Sequence, residues 1–476
     1  MNTLLFTLNA SHAHSSLSLR CLRDALEENG YAATILEATL KDRRHTVLAK
    51  LVEANADLYG FSCYVWNIEA MLSLAEDLKA LCPRCRIVLG GPEVSFDVER
   101  FAALPFVDHV ICGEGEAAIL QLAEAVKSQK ALQRVLFCGP YADFERSGIH
   151  YRAGETLPPL VYYESTRGCP FSCALCLSSA TEGVRAKSAE RTLAQLAEFE
   201  ALTGAHTVKL VDRTFNFDRE RAKRIWQGLL DKSFTKCYHF EIAAHLLDEE
   251  SLEILSRFPE GKIRLEIGLQ STNVQTLAAI SRHTKADEVL AMAKRLTAMG
   301  NLHVHLDLIA GLPHEDYASF ARSFDAAYGC CNVLQLGFPK LLHGTALRQN
   351  AAASGTVFEA KSPYTVLKTA DLSFAELERL HAVDDLVERL HNSGRFARTL
   401  ALLIPDLFPP FAFFEGFAAH LSATGTELQR ISQRELFLLL SQYAKKHTPE
   451  QAHWAISEAL RADFAACEVR RPPAGL

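Results

Sequence analysis

Arg167-Gly168-Cys169-Pro170-Phe171-Ser172-Cys173-Ala174-Leu175-Cys176 places three cysteines within eight residues. The stretch follows an apolar segment, residues 160–164, that reads as a strand. Three thiolates so close together can wrap one metal centre. A closed structural zinc site needs a fourth ligand, yet the next cysteine is Cys237 and no histidine lies nearby. An iron–sulfur cubane takes four cysteines, so three leave one iron open to a substrate or cofactor. The competing readings are a zinc knuckle completed by a distant residue, and three cysteines brought together by chance.

Working outward, residues 207–211, 238–243, 263–268, 303–309 and 333–337 read as further strands separated by helical segments. Together with 160–164 they predict a partial barrel of six parallel strands over 155–347, with its active site at the strand carboxyl ends. The cysteines follow the first of these strands, which is a catalytic place.

Residues 1–130 alternate in the same way. Strands are expected at 3–8, 32–37, 58–63, 86–89 and 109–112, and helices at 17–29, 46–55 and 68–81. This predicts an N-terminal doubly wound parallel sheet of the α/β class, binding ligands beyond its strand carboxyl ends. Two of its strands end in Gly90-Gly91-Pro92-Glu93 and Gly113-Glu114-Gly115-Glu116. Residues 131–154, with Gly139-Pro140, Gly148 and Gly154, read as a linker. From residue 348 onward strand alternation stops. Leu377, Leu380, Asp384, Val387 and Leu390 lie at helical spacing, and 428–446 and 449–464 are helical, so 348–476 is expected to be a small α-helical domain.

A formal net charge of −7 argues against a dedicated nucleic-acid binder. No run of about 18 apolar residues is present, which predicts no membrane span. The N-terminus lacks a basic start and reads as a strand rather than a signal peptide. Thirteen cysteines in such a chain are not expected to form a disulfide framework, and a cytoplasmic location follows. Cys82-Pro-Arg-Cys85 has redox or half-zinc spacing, but no second pair accompanies it.

The Cys-x3-Cys-x2-Cys pattern with apolar Leu175 before its last cysteine resembles the radical SAM superfamily. The resemblance covers roughly 155–347. It implies a 4Fe–4S cluster on Cys169, Cys173 and Cys176 whose open iron binds S-adenosylmethionine. One electron then breaks a carbon–sulfur bond and releases a 5′-deoxyadenosyl radical. It further implies an electron donor such as flavodoxin or ferredoxin. By position in that family, Asp212 is expected near the methionine amino group and Glu266, Gln270 and Ser271 near the ribose. Gly311 is expected against the adenine, and His343-Gly344-Thr345 also matches family usage. Arg282 is balanced between a site contact and a surface ion pair, and Asp307 is read as structural. No catalytic acid or base is assigned beyond the cluster.

A doubly wound domain ahead of such a barrel resembles the subgroup that binds cobalamin. That implies corrin contacts from Asn9, Ser11, Ser62, Tyr64, Gly90, Gly91, Glu93, Gly113 and Glu114. Tight glycine loops let a backbone approach a large flat ligand. The Asp-x-His-x-x-Gly loop of many cobalamin proteins is absent. In its place stands Asn9-Ala-Ser-His12-Ala-His14-Ser-Ser16, so a lower histidine ligand is not implied. Loop hydrogen bonding is expected of Ser11, His12 and Ser15. Tyr64, Val65 and Trp66 either pack against a corrin or form a surface aromatic cluster. The C-terminal helices resemble an accessory domain of one such subgroup.

The implied activity is methylation or rearrangement of an unactivated carbon of an unidentified, small-molecule substrate. A second reading is a methylthiotransferase-like enzyme acting on tRNA or protein. It needs a second cluster, for which Cys21, Cys63 and Cys112 are candidates by number. A third is a non-catalytic sensor that keeps the fold.

Overall fold

The computed structural model describes residues 1–148, 151–152, 155, 157–180 and 183–467. Gly154 of the expected linker and the end of the expected C-terminal domain lie outside the described residues.

The first unit is a six-stranded parallel sheet: β1 (Asn2–Asn9), β2 (Ala32–Thr39), β3 (Leu58–Ser62), β4 (Arg86–Gly90), β5 (His109–Gly113) and β6 (Val135–Cys138), in the order β2-β1-β3-β4-β5-β6. Its strands are apolar on both faces because helices cover both. Leu4, Phe6 and Tyr59 enter one core; Leu5, Leu58 and Val88 enter the other. The strand order reverses beside β1, so a crevice opens beyond the carboxyl ends of β1 and β3. β6 corrects the sequence reading. A four-residue edge strand within 131–154 leaves too short a pattern to separate from a linker, but it pairs in parallel with β5.

The second unit carries β7 (Leu160–Tyr163), a hairpin of β8 (Thr166–Gly168) and β9 (Val184–Ala186), then β10 (Thr207–Leu210), β11 (Cys237–Ile242), β12 (Ile263–Gln270), β13 (Leu302–Ile309) and β14 (Val333–Gly337). Six of these form an all-parallel sheet, β14-β13-β12-β11-β10-β7. Each strand is two-faced. Leu265, Ile267, Val304 and Leu306 point back into the helices and are buried. Arg264, Glu266, His303, His305 and Asp307 alternate with them on the concave face. A closed eight-stranded barrel fills its interior with branched apolar side chains. Here the lumen is polar and only half buried.

Both free edges of this sheet are capped by a side chain. The Tyr151 hydroxyl lies 3.3 Å from both the backbone N–H and the carbonyl of Tyr162 on β7. At the other edge, Asn392 accepts from the Leu334 N–H of β14 at 3.0 Å and donates to the Leu334 carbonyl at 2.9 Å. A carboxamide can do both at once, as a further strand would. Asn392 ends a π-helical turn, Val387–Asn392. We expect Asn392→Ala to cost about 1–3 kcal/mol. Faster hydrogen exchange at the Leu334 amide would accompany it; unchanged exchange there contradicts the capping role.

The C-terminal part corrects the sequence reading in two ways. It opens with a short antiparallel hairpin, β15 (Val357–Phe358) and β16 (Val366–Lys368), too brief to show alternation. Its helices, including Phe374–Leu386 with a Ser373–Glu376 capping box, do not form a separate globule. Leu377, Leu380, Phe411 and Phe414 share one continuous core with Val304, Leu334 and Phe324 of the barrel. The Tyr317 hydroxyl also donates to Glu415 at 2.7 Å. Among the described residues no helix is long and apolar enough to cross a membrane.

Candidate functional site

The cysteine loop leaves β8 at Gly168 and returns at β9, so a two-stranded hairpin closes its base. Gly168 has φ +90°, and a Cβ there would stand 2.1 Å from the Gly183 carbonyl oxygen, so only glycine fits. The loop is pinned by backbone bonds from Ala174 to Ile280 and from Leu347 to Ala174, each 2.9 Å. Ala174, Leu277, Ile280 and Leu312 form a small apolar floor beneath it, with Leu175 packed alongside.

Each thiol has its own surroundings. Cys169 Sγ is 3.5 Å from the Thr214 hydroxyl, Cys173 Sγ is 3.9 Å from Arg282 Nη1, and Cys176 Sγ accepts the Ser178 N–H at 3.4 Å. Burial pushes the Cys173 thiol up, opposed by the Arg282 guanidinium. Among the described residues no three His, Cys, Asp or Glu side chains converge as ligands of a single ion would.

The lumen below is a charged array. Lys209 Nζ is 2.7 Å from Glu266 and 3.6 Å from Glu241, and His239 Nε2 is 3.0 Å from Glu266. Burial raises the Glu266 carboxyl, but His239 and Lys209 outweigh it and hold the group at about 2. Burial, then the charges of Glu266 and Glu241, raise Asp307 well above the usual carboxylate range. Burial likewise depresses His305, to about 3.

Four buried polar atoms on this face have no hydrogen-bond partner among the described residues: Gln270 Oε1, Arg282 Nε, Asp307 Oδ1 and His305 Nε2. They are neighbours. Arg282 donates to the Gly268 carbonyl, Gly268 pairs in register with Asp307, and Glu266 with His305. Gln270, at φ +72°, turns its carboxamide over Gly268, where a Cβ would meet Nε2 at 2.3 Å. An orphaned buried polar atom costs free energy unless a ligand or water meets it. Arg282 thus reaches Cys173 and the Gly268 carbonyl on the lumen side. Gly268 was not singled out by the sequence, although a glycine inside a strand signals close approach.

Several of the residues expected at the ligand also have partners within the chain. Asp212 is fully buried and points away from the lumen; its carboxylate accepts the N–H groups of Ser165 and Thr166 at 2.7 and 2.9 Å and the Ser165 hydroxyl. Ser271 is also fully buried and donates to Glu315 at 2.7 Å. Glu266 faces the lumen with its carboxylate occupied by Lys209 and His239. Gly311, at φ +97°, has the Leu377 side chain 3.3 Å from its missing Cβ, so the accessory helix already fills that space.

In the first unit, Glu93 accepts from the Tyr364 hydroxyl at 2.6 Å, and Glu114 pairs with Arg167 and Arg185. Cβ atoms at Gly91 and Gly113 would strike the backbone oxygens of Cys63 and Cys138 at 2.5 and 2.2 Å. Both glycines serve the chain's own packing. Gly90 leaves room for a methyl group, its nearest neighbour being Ile111 at 3.8 Å. Asn9 donates to the His14 carbonyl and to Glu37, and Ser11 accepts within its own loop from Ala13.

At the switch-point crevice Ser62 and Tyr64 both bond to Ser18 at 3.0 Å. Trp66 stacks on Tyr64 at 4.4 Å and is 46% exposed, so the pair presents a flat apolar surface. His14 Nδ1 lies 2.7 Å from the Tyr162 hydroxyl, so the first loop of this domain stands against the open side of the barrel.

The Glu315 cluster carries a pH prediction. Burial pushes its carboxyl up to about 7, from an ordinary 4.5, against hydrogen bonds from Ser271, Ser323 and Ser319. The folded chain then holds a proton that the unfolded chain releases between those values. The contribution of Glu315 to stability is fully present below about pH 4.5 and is lost as pH rises through about 7, by roughly 3 kcal/mol in total. Glu315→Gln should remove this slope, gaining on the parent between pH 5 and 8 in urea titrations. Parallel stability profiles contradict it.

Comparison with known proteins agrees with this architecture. Family models match for a B12 binding domain over residues 4–123, the radical SAM superfamily over 163–327, and a protein of unknown function (DUF4080) over 353–474. The chain is 28% identical over 300 residues to a 2-(S-pantetheinyl)-carbapenam-3-carboxylate methyltransferase of Streptantibioticus cattleyicolor. It is 25% identical over 305 residues to the cobalamin-dependent radical SAM methyltransferase TokK of Streptomyces tokunonensis. Each match covers 56% of this chain and 44% of the relative, so less than half of either relative's length is spanned. The fold is that of the methyltransferase TsrM of Kitasatospora setae, solved with cobalamin and a [4Fe–4S] cluster. The TM-score is 0.65 at 16% identity, over 98% of this chain and 99% of that one. With its three-cysteine loop at the mouth of a six-stranded half-barrel and a doubly wound domain in front, the chain carries a B12-binding domain followed by a radical SAM domain.

Proposed function

We propose that this chain is a cobalamin-dependent radical SAM enzyme that methylates an unactivated carbon of a small-molecule substrate. The observation that carries the proposal is the placement of three separate thiols above a lumen with unmatched polar atoms, beside a switch-point crevice. When bound, the cluster supplies the electron that cleaves S-adenosylmethionine to a 5′-deoxyadenosyl radical, and the corrin supplies the methyl group.

The chain's own residues hold and orient. Cys169, Cys173 and Cys176 ligate three irons. Gln270, Arg282 and Asp307 offer acceptors and donors of the kind an amino acid and a ribose require. Gly268 lets such a ligand approach the backbone. Ser62, Tyr64 and Trp66 border the crevice suited to a corrin, and the first-domain loop at His14 excludes water from the side of the lumen. The named methyltransferase relatives support methylation over rearrangement.

A second, methylthiotransferase-type cluster has little support. Cys21 lies within the helix Leu17–Glu28, and Cys63 and Cys112 are buried in the first core. Burial pushes all three thiols up, Cys112 to about 11. The thirteen cysteines form no disulfide, and we place the chain in the cytoplasm, with a flavodoxin- or ferredoxin-like protein as electron donor. Purification without oxygen tests the reading. We expect a corrin absorption spectrum, about one cobalt, and about four irons per chain. Iron without cobalt overturns the cobalamin assignment, and about eight irons would favour two clusters.

A further inference from the structure

The Gly113-Glu114-Gly115-Glu116 loop is left without a ligand by the geometry above, and its two carboxylates go elsewhere. Glu114 Oε2 lies 2.6 Å from Arg167 Nη1 and accepts the Tyr141 N–H at 2.8 Å, while its other oxygen pairs with Arg185. Glu116 Oε1 lies 2.5 Å from Arg167 Nη2, and Glu164 Oε2 lies 2.9 Å from Arg167 Nε. Every nitrogen of the Arg167 guanidinium thus faces a carboxylate, two of the three from the first domain.

Arg167 and Arg185 are direct partners across β8 and β9, the hairpin that closes the cysteine loop. Their guanidiniums stand 4.8 and 5.5 Å from the Phe144 ring. The Arg167–Glu116 pair is withdrawn from water, at 13% and 6% side-chain exposure, whereas Arg185–Glu114, at 34% and 25%, is partly exposed. Exposed ion pairs are weak. Removing one partner of a desolvated set leaves uncompensated charge and is strongly disruptive. Planar, two-pronged guanidinium contacts also fix direction.

We infer that Glu114 and Glu116 are positioning residues that clamp the cysteine-bearing hairpin to the B12-type domain, through Arg167 and Arg185. This rests on the proposed function for what each side carries. The clamp then sets the separation between a cluster on the loop and a corrin in the first domain.

The test compares the parent with Glu114→Gln, Glu116→Gln and the milder Arg185→Gln. Hydrogen exchange of the cofactor-free proteins should show hairpin amides within 166–186 exchanging about tenfold faster in the glutamate variants. A smaller increase is expected in Arg185→Gln, with β1–β5 unchanged. In the anaerobically loaded proteins, dipolar broadening of the cob(II)alamin EPR signal by the reduced cluster should be sharp in the parent and dispersed in the variants, at equal iron and cobalt content. A purely structural role would lower metal content without spreading that coupling. Unchanged exchange and unchanged coupling overturn the clamp. Should the parent bind no corrin, the proposed function falls, while hydrogen exchange still decides the clamp.

Discussion

Replacing Cys173 by alanine abolishes cluster binding while leaving the fold in place. Cys173 is half-buried in a loop held by backbone bonds and by the apolar floor of Ala174, Leu277, Ile280 and Leu312. Loss of one sulfur there creates no core cavity, so the unfolding midpoint of the apo chain should move by no more than about 0.5 kcal/mol. The two remaining thiolates are too few for a cubane. Iron should fall from about four per chain to near zero after anaerobic reconstitution. Formation of 5′-deoxyadenosine should drop by at least about a thousandfold, or ~4 kcal/mol in the barrier. Iron analysis, low-temperature EPR and product chromatography measure this together. A variant keeping full iron and the parent EPR signal would place the cluster elsewhere.

Asp212→Ala is expected to act on stability first. Its fully buried carboxylate gathers two backbone N–H groups and a hydroxyl from Ser165–Thr166, the residues that lead into Cys169. Arg221 donates to the same Ser165 hydroxyl at 2.7 Å. Alanine leaves those donors without their acceptor and removes the negative charge beside the buried Arg221 guanidinium, a loss of about 3–5 kcal/mol. Asp212→Asn keeps the shape and one acceptor oxygen and should lose only about 1–3 kcal/mol. Urea unfolding of the apo proteins measures both. Equal, small losses in the two variants would contradict the assignment of Asp212 as the buried anchor of the cysteine loop.

The strands of both sheets were legible in the sequence because apolar runs and alternation report burial directly. Residues 3–8, 263–268 and 303–309 lie on observed strands, and 58–63 overruns its strand, Leu58–Ser62, at Cys63. The cysteine triad was legible because its ligands are close in sequence. β6, β8 and β9 were not, being three or four residues long. The protein partners of the polar residues at the strand ends were not legible. Asp212 bonds across 47 residues, Ser271 across 44, Glu114 across 53 and Glu93 across 271. A side chain's residue type and position do not reveal a partner that only the tertiary fold supplies. The same holds for Gly91 and Gly113, where a Cβ would meet the chain's own backbone. Arg282 and Gln270 lie 12 residues apart in the sequence and meet only because both reach the Gly268 backbone.

The most direct test of the central claim is single-turnover chemistry on the reconstituted protein. Chain with about four irons, reduced with dithionite or titanium(III) citrate and given S-adenosylmethionine without oxygen, should form 5′-deoxyadenosine and methionine in equal amounts. The Cys173→Ala protein should form neither. No 5′-deoxyadenosine from a chain whose cluster is loaded and reduced would contradict the account.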